Sequence, residues 1–144
     1  MVVYADSSFL VAVYVQGKSE KDARSYFVKN PQPICLTRFS KSEIQHAIRM
    51  LAFQKHIALS EMTQALLQLE RDEAEGFYEM QYVEAEDLYI KTSQLSHRHA
   101  LESGVRYLDM LHIASALLVN ARRFLTFDVR QGKLAKAVGL EVKP

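Results

Sequence analysis

Four acidic residues stand in otherwise apolar surroundings: Asp6, Glu43, Asp109 and Asp128. Asp6 follows the β-prone run Val2–Ala5, and Asp128 follows Phe124–Phe127, so each is expected just past the carboxyl end of a strand. In open α/β sheets that edge is where ligands bind. Asp109 lies in Tyr107–Val119, which is apolar nearly all round and reads as a buried helix. A buried carboxylate without a partner is costly, so Asp109 needs a cation, donors or a metal. Arg106 and His112, three residues to either side, are within reach along a helix. Glu43 borders the apolar stripe Ile44, Ala47, Ile48, Leu51 and Ala52. Several carboxylates drawn close together need a counter-cation to stay charged. An all-oxygen acidic set selects hard ions such as Mg²⁺ or Mn²⁺. The chemistry of such a site is metal-assisted hydrolysis of a phosphodiester.

Each residue also has a plainer reading. Asp6 and Asp128 can cap the helices that follow them, and both roles can coexist. Ser40-Lys41-Ser42-Glu43 fits a capping box, in which Glu43 reaches back to the Ser40 amide. Asp109 can be half of a buried pair with Arg106, or an early-turn acid favoured by the helix dipole. If all four are caps, the chain is a non-catalytic binding module. A haloacid-dehalogenase-like phosphatase would want a second acid two residues after the first, and Ser8 stands there. Gly-rich phosphate loops of nucleotide-binding folds are absent.

The elements that position these residues are read from periodicity. After the strand Val2–Ala5, Phe9–Val15 and Ser19–Lys29 read as helices, then Ile34–Thr37 as a strand. Ser40–Lys55 and Ser60–Glu75 carry helical stripes, with a weak strand near Met80–Val83. Ala85–His99 and Tyr107–Val119 follow as helices, then the strand Phe124–Phe127, the helix Val129–Val138 and the strand Leu140–Val142. Short apolar strands alternate with helices, which predicts a three-layer α/β/α domain around a mostly parallel four- or five-stranded sheet, rich in helix. A chain of 144 residues is expected to form a single domain over 1–144.

Composition sets limits. The chain is 49% hydrophobic and 24% charged, ordinary globular usage that excludes disordered and fibrous classes. The one cysteine, Cys35, excludes an internal disulfide and a thiolate zinc site, and suits a reducing compartment. No apolar run approaches a membrane span, and Asp6 falls where a signal peptide would be apolar, so a cytoplasmic location without membrane attachment is expected. The formal net charge of +1 excludes a protein that coats nucleic acid by bulk charge. The charge is uneven, however. Residues 61–90 hold nine acids against one base, Arg71, while residues 122–144 hold six bases against two acids. Arg122, Arg123, Arg130, Lys133 and Lys136 are candidates for holding phosphates, or an ordinary solvated surface. His97 and His99 do not share a helix face, whereas His112 reads as a packed histidine or a donor to a carboxylate. Phe9, Tyr14, Phe39 and Phe53 are candidates for a dimer face.

Four segments carry a resemblance along nearly the whole chain: Val2-Val3-Tyr4-Ala5-Asp6-Ser7-Ser8, Ser40-Lys41-Ser42-Glu43, Tyr107-Leu108-Asp109 with the helix after it, and Leu125-Thr126-Phe127-Asp128. In order and spacing they resemble PIN-domain ribonucleases, more narrowly the toxins of VapBC-type toxin–antitoxin pairs. The resemblance implies the same α/β/α fold and an acidic metal site of Asp6, Glu43, Asp109 and Asp128. Asp6 and Asp109 would be direct Mg²⁺ or Mn²⁺ ligands, Glu43 a ligand or holder of a metal-bound water, and Asp128 would act directly or through water. Ser7 and Thr126 match small polar positions that support such a site. The implied activity is endonucleolytic cleavage of RNA, often a structured tRNA or rRNA, by a homodimer that an antitoxin inhibits. A PIN nuclease that processes RNA outside such a pair is the alternative.

Overall fold

The computed structural model of the chain describes residues 1–15 and 17–144. Among these, β1 (Val2–Ala5), α1 (Ser7–Tyr14), α2 (Glu20–Lys29), β2 (Ile34–Leu36), α3 (Arg38–Phe53) and α4 (Leu59–Ala74) come first. They are followed by β3 (Tyr78–Met80), α5 (Ala85–Ser103), α6 (Tyr107–Leu118), β4 (Ala121–Leu125), α7 (Val129–Ala137) and β5 (Glu141–Lys143). All strand pairs are parallel, in the order β3-β2-β1-β4-β5. The chain winds from β1 outward to β3, then returns to the other side of β1 to build β4 and β5. The order therefore reverses between β1 and β4, which makes their carboxyl ends the crevice where such sheets bind ligands.

Strand side chains alternate between two cores. Val3, Ala5, Ile34, Leu36 and Leu125 face a layer made by α1 to α4, with Phe9, Leu10, Ile44, Ile48 and Leu69 buried against them. Tyr4, Cys35 and Phe124 point the other way, toward Met110, Ile113, Ala114 and Leu134 of α6 and α7. This period of two gives the α/β/α layering, and both sheet faces are covered, as parallel sheets require. No helix of the described residues is long and apolar enough to cross a membrane.

Several boundaries differ from the expected ones, for local physical reasons. The third helix starts at Arg38 rather than Ser40. Thr37 is its cap: the Ser40 amide donates to Thr37 Oγ1 at 3.2 Å, and the Thr37 amide donates to Ser40 Oγ at 2.8 Å. The capping box is thus Thr37–Ser40, and Glu43 is released from that role. β4 begins at Ala121, so Arg122 and Arg123 lie within the strand instead of before it. Arg123 is tolerated there because its guanidinium lies 3.2 Å from Glu141 on β5 and 3.1 Å from the Tyr26 hydroxyl. β3 falls at Tyr78–Met80, ahead of the expected Met80–Val83. α5 runs on to Ser103, where Gly104 closes it in the left-handed conformation at φ 61°. Of the aromatic residues considered for a dimer face, Phe9 is wholly buried, and Tyr14 turns inward to donate to Asp72 at 2.6 Å. Phe53 is exposed.

Candidate active site

Asp6 opens the site at the end of β1. It caps α1, its Oδ1 accepting from the Phe9 amide at 2.9 Å. The Ser8 hydroxyl lies 2.7 and 2.9 Å from its two oxygens, and the Thr126 hydroxyl donates to Oδ2 at 2.6 Å. The same hydroxyls accept from the chain beyond β4: Ser8 Oγ from the Phe127 amide at 3.0 Å, Thr126 Oγ1 from the Asp128 amide at 2.9 Å. Two hydroxyls thus tie the ends of the adjacent strands β1 and β4 to one carboxylate, which is only 2% exposed. Burial pushes the Asp6 carboxyl above its ordinary value, against the pull of Thr126, the nearby His112, the Phe9 amide and Ser8.

Glu43 sits on α3, facing the start of α1. Its Oε1 accepts from the Ser7 hydroxyl at 3.1 Å, and its Oε2 is bonded to His112 Nε2. The other ring nitrogen of His112, Nδ1, lies 2.9 Å from the Tyr4 hydroxyl. Tyr4 is fully buried, and that burial pushes its hydroxyl far above the usual tyrosine range, so it stays protonated. Glu43, held in its charged form, accepts from Nε2–H, while the Tyr4 hydroxyl, able to donate or accept, pairs with Nδ1. Phe39 packs on the imidazole with ring centroids 4.7 Å apart. Burial raises the Glu43 carboxyl, but the His112 bond and charge, with the Ser7 hydroxyl, outweigh it and hold the carboxyl below its ordinary value. His112 therefore serves Glu43, not Asp109.

Asp109 lies in the first turn of α6. Arg106 approaches it at 3.6 Å, but Arg106 is 86% exposed, so this is no buried ion pair. Burial pushes the Asp109 carboxyl up, and the negative charges of Asp128 and Glu43 add to this while Arg106 and His112 oppose it. Asp128 caps α7, its Oδ1 accepting from the Gln131 amide at 3.0 Å. Asp109 and Asp128 line one cleft with Gly104, Arg106 and Arg130. Two residues not singled out from the sequence complete the arrangement. Ser8 joins Asp6 to the Phe127 amide. Gln131, 1% exposed, donates through Nε2 to the Asp109 carbonyl at 3.0 Å and places Oε1 3.1 Å from Thr126 Oγ1. Ser8 stands two residues after an acid at a strand end, which is a usable signal; Gln131 had none.

The structure thus places Asp6, Glu43, Asp109 and Asp128 around the carboxyl edge of β1 and β4, with Ser7, Thr126 and His112 bonded to them. Arg130 and Lys133 lie beside this edge on α7. Arg122 and Arg123 are not brought there, because β4 carries them at its amino-terminal half. Among the described residues, no three His, Cys, Asp or Glu side chains are gathered closely enough to form a finished metal cage. The donor chemistry still suits a hard divalent cation. The donors are carboxylate and hydroxyl oxygens, and burial is what holds the Asp109 carboxyl up, with Asp128 and Glu43 adding to it and Arg106 and His112 opposing.

Comparison with known proteins extends this description. Residues 3–137 match the PIN domain family. No curated protein sequence matches the chain. Among solved structures, VapC20 of Mycobacterium tuberculosis, described as a sarcin-ricin loop cleaving toxin, superposes with a TM-score of 0.70 at 17% identity, covering 99% of both chains. FitAcB of Neisseria gonorrhoeae gives 0.67 at 12% identity, covering 99% of this chain and 97% of that one. VapBC2 of Rickettsia felis, solved with a promoter DNA fragment, gives 0.65 at 16% identity, covering 99% and 98%. These likenesses share the α/β/α fold described above. With its family match spanning nearly the whole length, the chain belongs to the PIN domain family.

Proposed function

We propose that this protein is a Mg²⁺- or Mn²⁺-dependent endoribonuclease and the toxin of a toxin–antitoxin pair. The observation that carries the reading is the carboxylate set at the β1–β4 switch point, where burial holds the Asp109 carboxyl above its ordinary value. That is the electrostatic state a bound cation relieves. The sarcin-ricin loop cleaving activity of the similar VapC20 structure supports RNA as the substrate, and the VapBC2 structure supports a partner antitoxin. By the same analogy the protein works in the cytoplasm as a homodimer.

In this reading Asp6, Glu43, Asp109 and Asp128 hold the cation, which supplies charge neutralisation at the phosphodiester and activation of water. The chain's own residues supply the order. Ser8 and Thr126 fix both oxygens of Asp6. Ser7 and His112 fix Glu43, leaving its charged form favoured. Gln131 ties the Asp109 backbone to the amide that Asp128 caps. Arg106 and Arg130, on the rim of the cleft, are placed to hold phosphate oxygens of the substrate.

The test is cleavage of a structured RNA by purified protein in Mn²⁺ and in chelator. Cleavage should require the cation and vanish in Asp6→Asn and Asp109→Asn. Wild-type rates in both variants would remove the assignment. Co-purification with a small DNA-binding partner separates the toxin from an RNA-processing PIN nuclease.

A further inference from the structure

Beyond Arg106 and Arg130 on the cleft rim, further cations form a pattern that the proposed reaction does not use. Ion pairs among the described residues engage Arg24, Lys41, Arg106, Arg123 and Lys143. Of the cations without such a partner, Lys91 and Arg98 lie on α5, and Arg130, Lys133 and Lys136 on α7. α5 and α7 pack side by side, and three clefts run in series along them. The first holds Asp109 and Asp128 and shares Gly104, Val129 and Arg130 with the second. The second adds Lys133 and shares His99 and Ala137 with the third, which is lined by Arg98, His97 and Lys91. Arg130 links the first two, its guanidinium 3.4 Å from the Gly104 carbonyl. Only Glu86 and Glu102 bring negative charge to the second and third clefts. On the opposite flank the sheet ends at β3, which carries Glu79, and Lys41 there is taken up by Glu70 and Glu73.

We propose that the seam between α5 and α7 is an RNA-binding track, carrying the strand next to the scissile phosphate from the carboxylate cleft past Arg130 and Lys133 to Arg98 and Lys91. This deepens the ribonuclease reading and rests on it. The contacts are to phosphates, so the track sets position and affinity, not sequence. From Gly104 back to Lys91 the α5 axis spans about 20 Å, room for several nucleotides. At the far end Tyr89 is 55% exposed beside Lys91 and offers a ring for a base to stack on.

The test measures binding of a single-stranded RNA of about 12 nucleotides to the full chain in chelator, so that no cleavage occurs, across a salt series. Each phosphate held adds about −0.7 to the slope of log affinity against log salt. The pair Arg98→Glu with Lys133→Glu should make that slope shallower by about 1.4 and weaken binding at least tenfold at 0.1 M salt. Arg98→Gln with Lys133→Gln, which loses the same two contacts, should flatten the slope by the same about 1.4 while weakening binding less, which guards against a misfolded variant. Lys21→Glu with Lys29→Glu, exposed on α2 across the sheet, should bind as wild type. Unchanged binding in the seam variants, or equal loss in the α2 pair, would overturn the track. Displacement of the RNA by an oligo-glutamate peptide at lower concentration would also overturn it, and would make the seam a face for an acidic protein. Cleavage of an RNA of about four nucleotides in Mn²⁺, too short to reach the seam, tests the catalytic reading separately.

Discussion

Replacing His112 with phenylalanine isolates the buried chain Tyr4–His112–Glu43. His112 and Tyr4 are both fully buried, and a phenyl ring keeps the packing against Phe39 and Tyr4. What is lost is polar. The Tyr4 hydroxyl loses its hydrogen-bond partner at 2.9 Å, and Glu43 loses a donor. An orphaned buried hydroxyl costs about 1–3 kcal/mol. The bond to Glu43 is charge-assisted but partly open to solvent on the Glu43 side, which puts its share at about 1 kcal/mol. His112→Phe should therefore destabilise by about 2–4 kcal/mol, which for this chain length lowers the melting temperature by about 6–13 °C. Adding Tyr4→Phe removes the orphan and should recover about 1–2 kcal/mol, although Tyr4→Phe alone costs about 1 kcal/mol. Urea unfolding followed by far-UV circular dichroism reads all four corners of the cycle. If His112→Phe lies within 0.5 kcal/mol of wild type, or if Tyr4→Phe is equally costly in both backgrounds, the chain of hydrogen bonds does not hold Glu43.

Three further outcomes are expected. Thr126→Val removes the donor to buried Asp6 while keeping its shape. It should cost about 2 kcal/mol in chemical unfolding and weaken Mn²⁺ binding by about 10–100-fold in calorimetry, with Thr126→Ser restoring both. Glu43 has its carboxyl depressed in the fold, so its contribution is present above the unfolded value of 4.5 and is lost as pH falls below it. The stability gap between wild type and Glu43→Gln, measured from pH 7 to pH 3, should hold at the upper end and narrow below pH 4.5; a gap that widens on acidification would contradict the sign. Gly104→Ala places a Cβ at φ 61°, 3.5 Å from Arg130 Nη1, and should lower the melting temperature by about 3–6 °C, the cost of about 1–2 kcal/mol for a left-handed alanine.

Much of this arrangement was legible in the sequence because cap and site coincide. Asp6 and Asp128 are helix caps that follow strands, and that same grammar places them at the carboxyl edge of a parallel sheet. Asp109 stood out because a carboxylate in an apolar helix is expensive. Glu43 was ambiguous: Ser40 and Glu43 have capping-box spacing, but so do Thr37 and Ser40, and the choice depends on β2 ending at Leu36. The start of β4 was hidden because Arg122 and Arg123 break the apolar pattern. Their tolerance depends on Glu141 and Tyr26, distant in sequence. Gln131 left no trace, since a glutamine inside an amphipathic helix reads as surface until Thr126 and the Asp109 carbonyl are seen beside it. The strand order was equally hidden, because periodicity marks strands without saying which neighbours pair.

The end chemistry of the cleaved RNA tests the central claim most directly. A cation held by these carboxylates would supply an activated water, and hydrolysis by water needs no help from the ribose 2′-hydroxyl. The account predicts Mn²⁺-dependent products ending in hydroxyl and phosphate monoester groups, and cleavage that survives a 2′-deoxy substitution at the scissile nucleotide. Products bearing a 2′,3′-cyclic phosphate, or cleavage that persists in chelator, would contradict it.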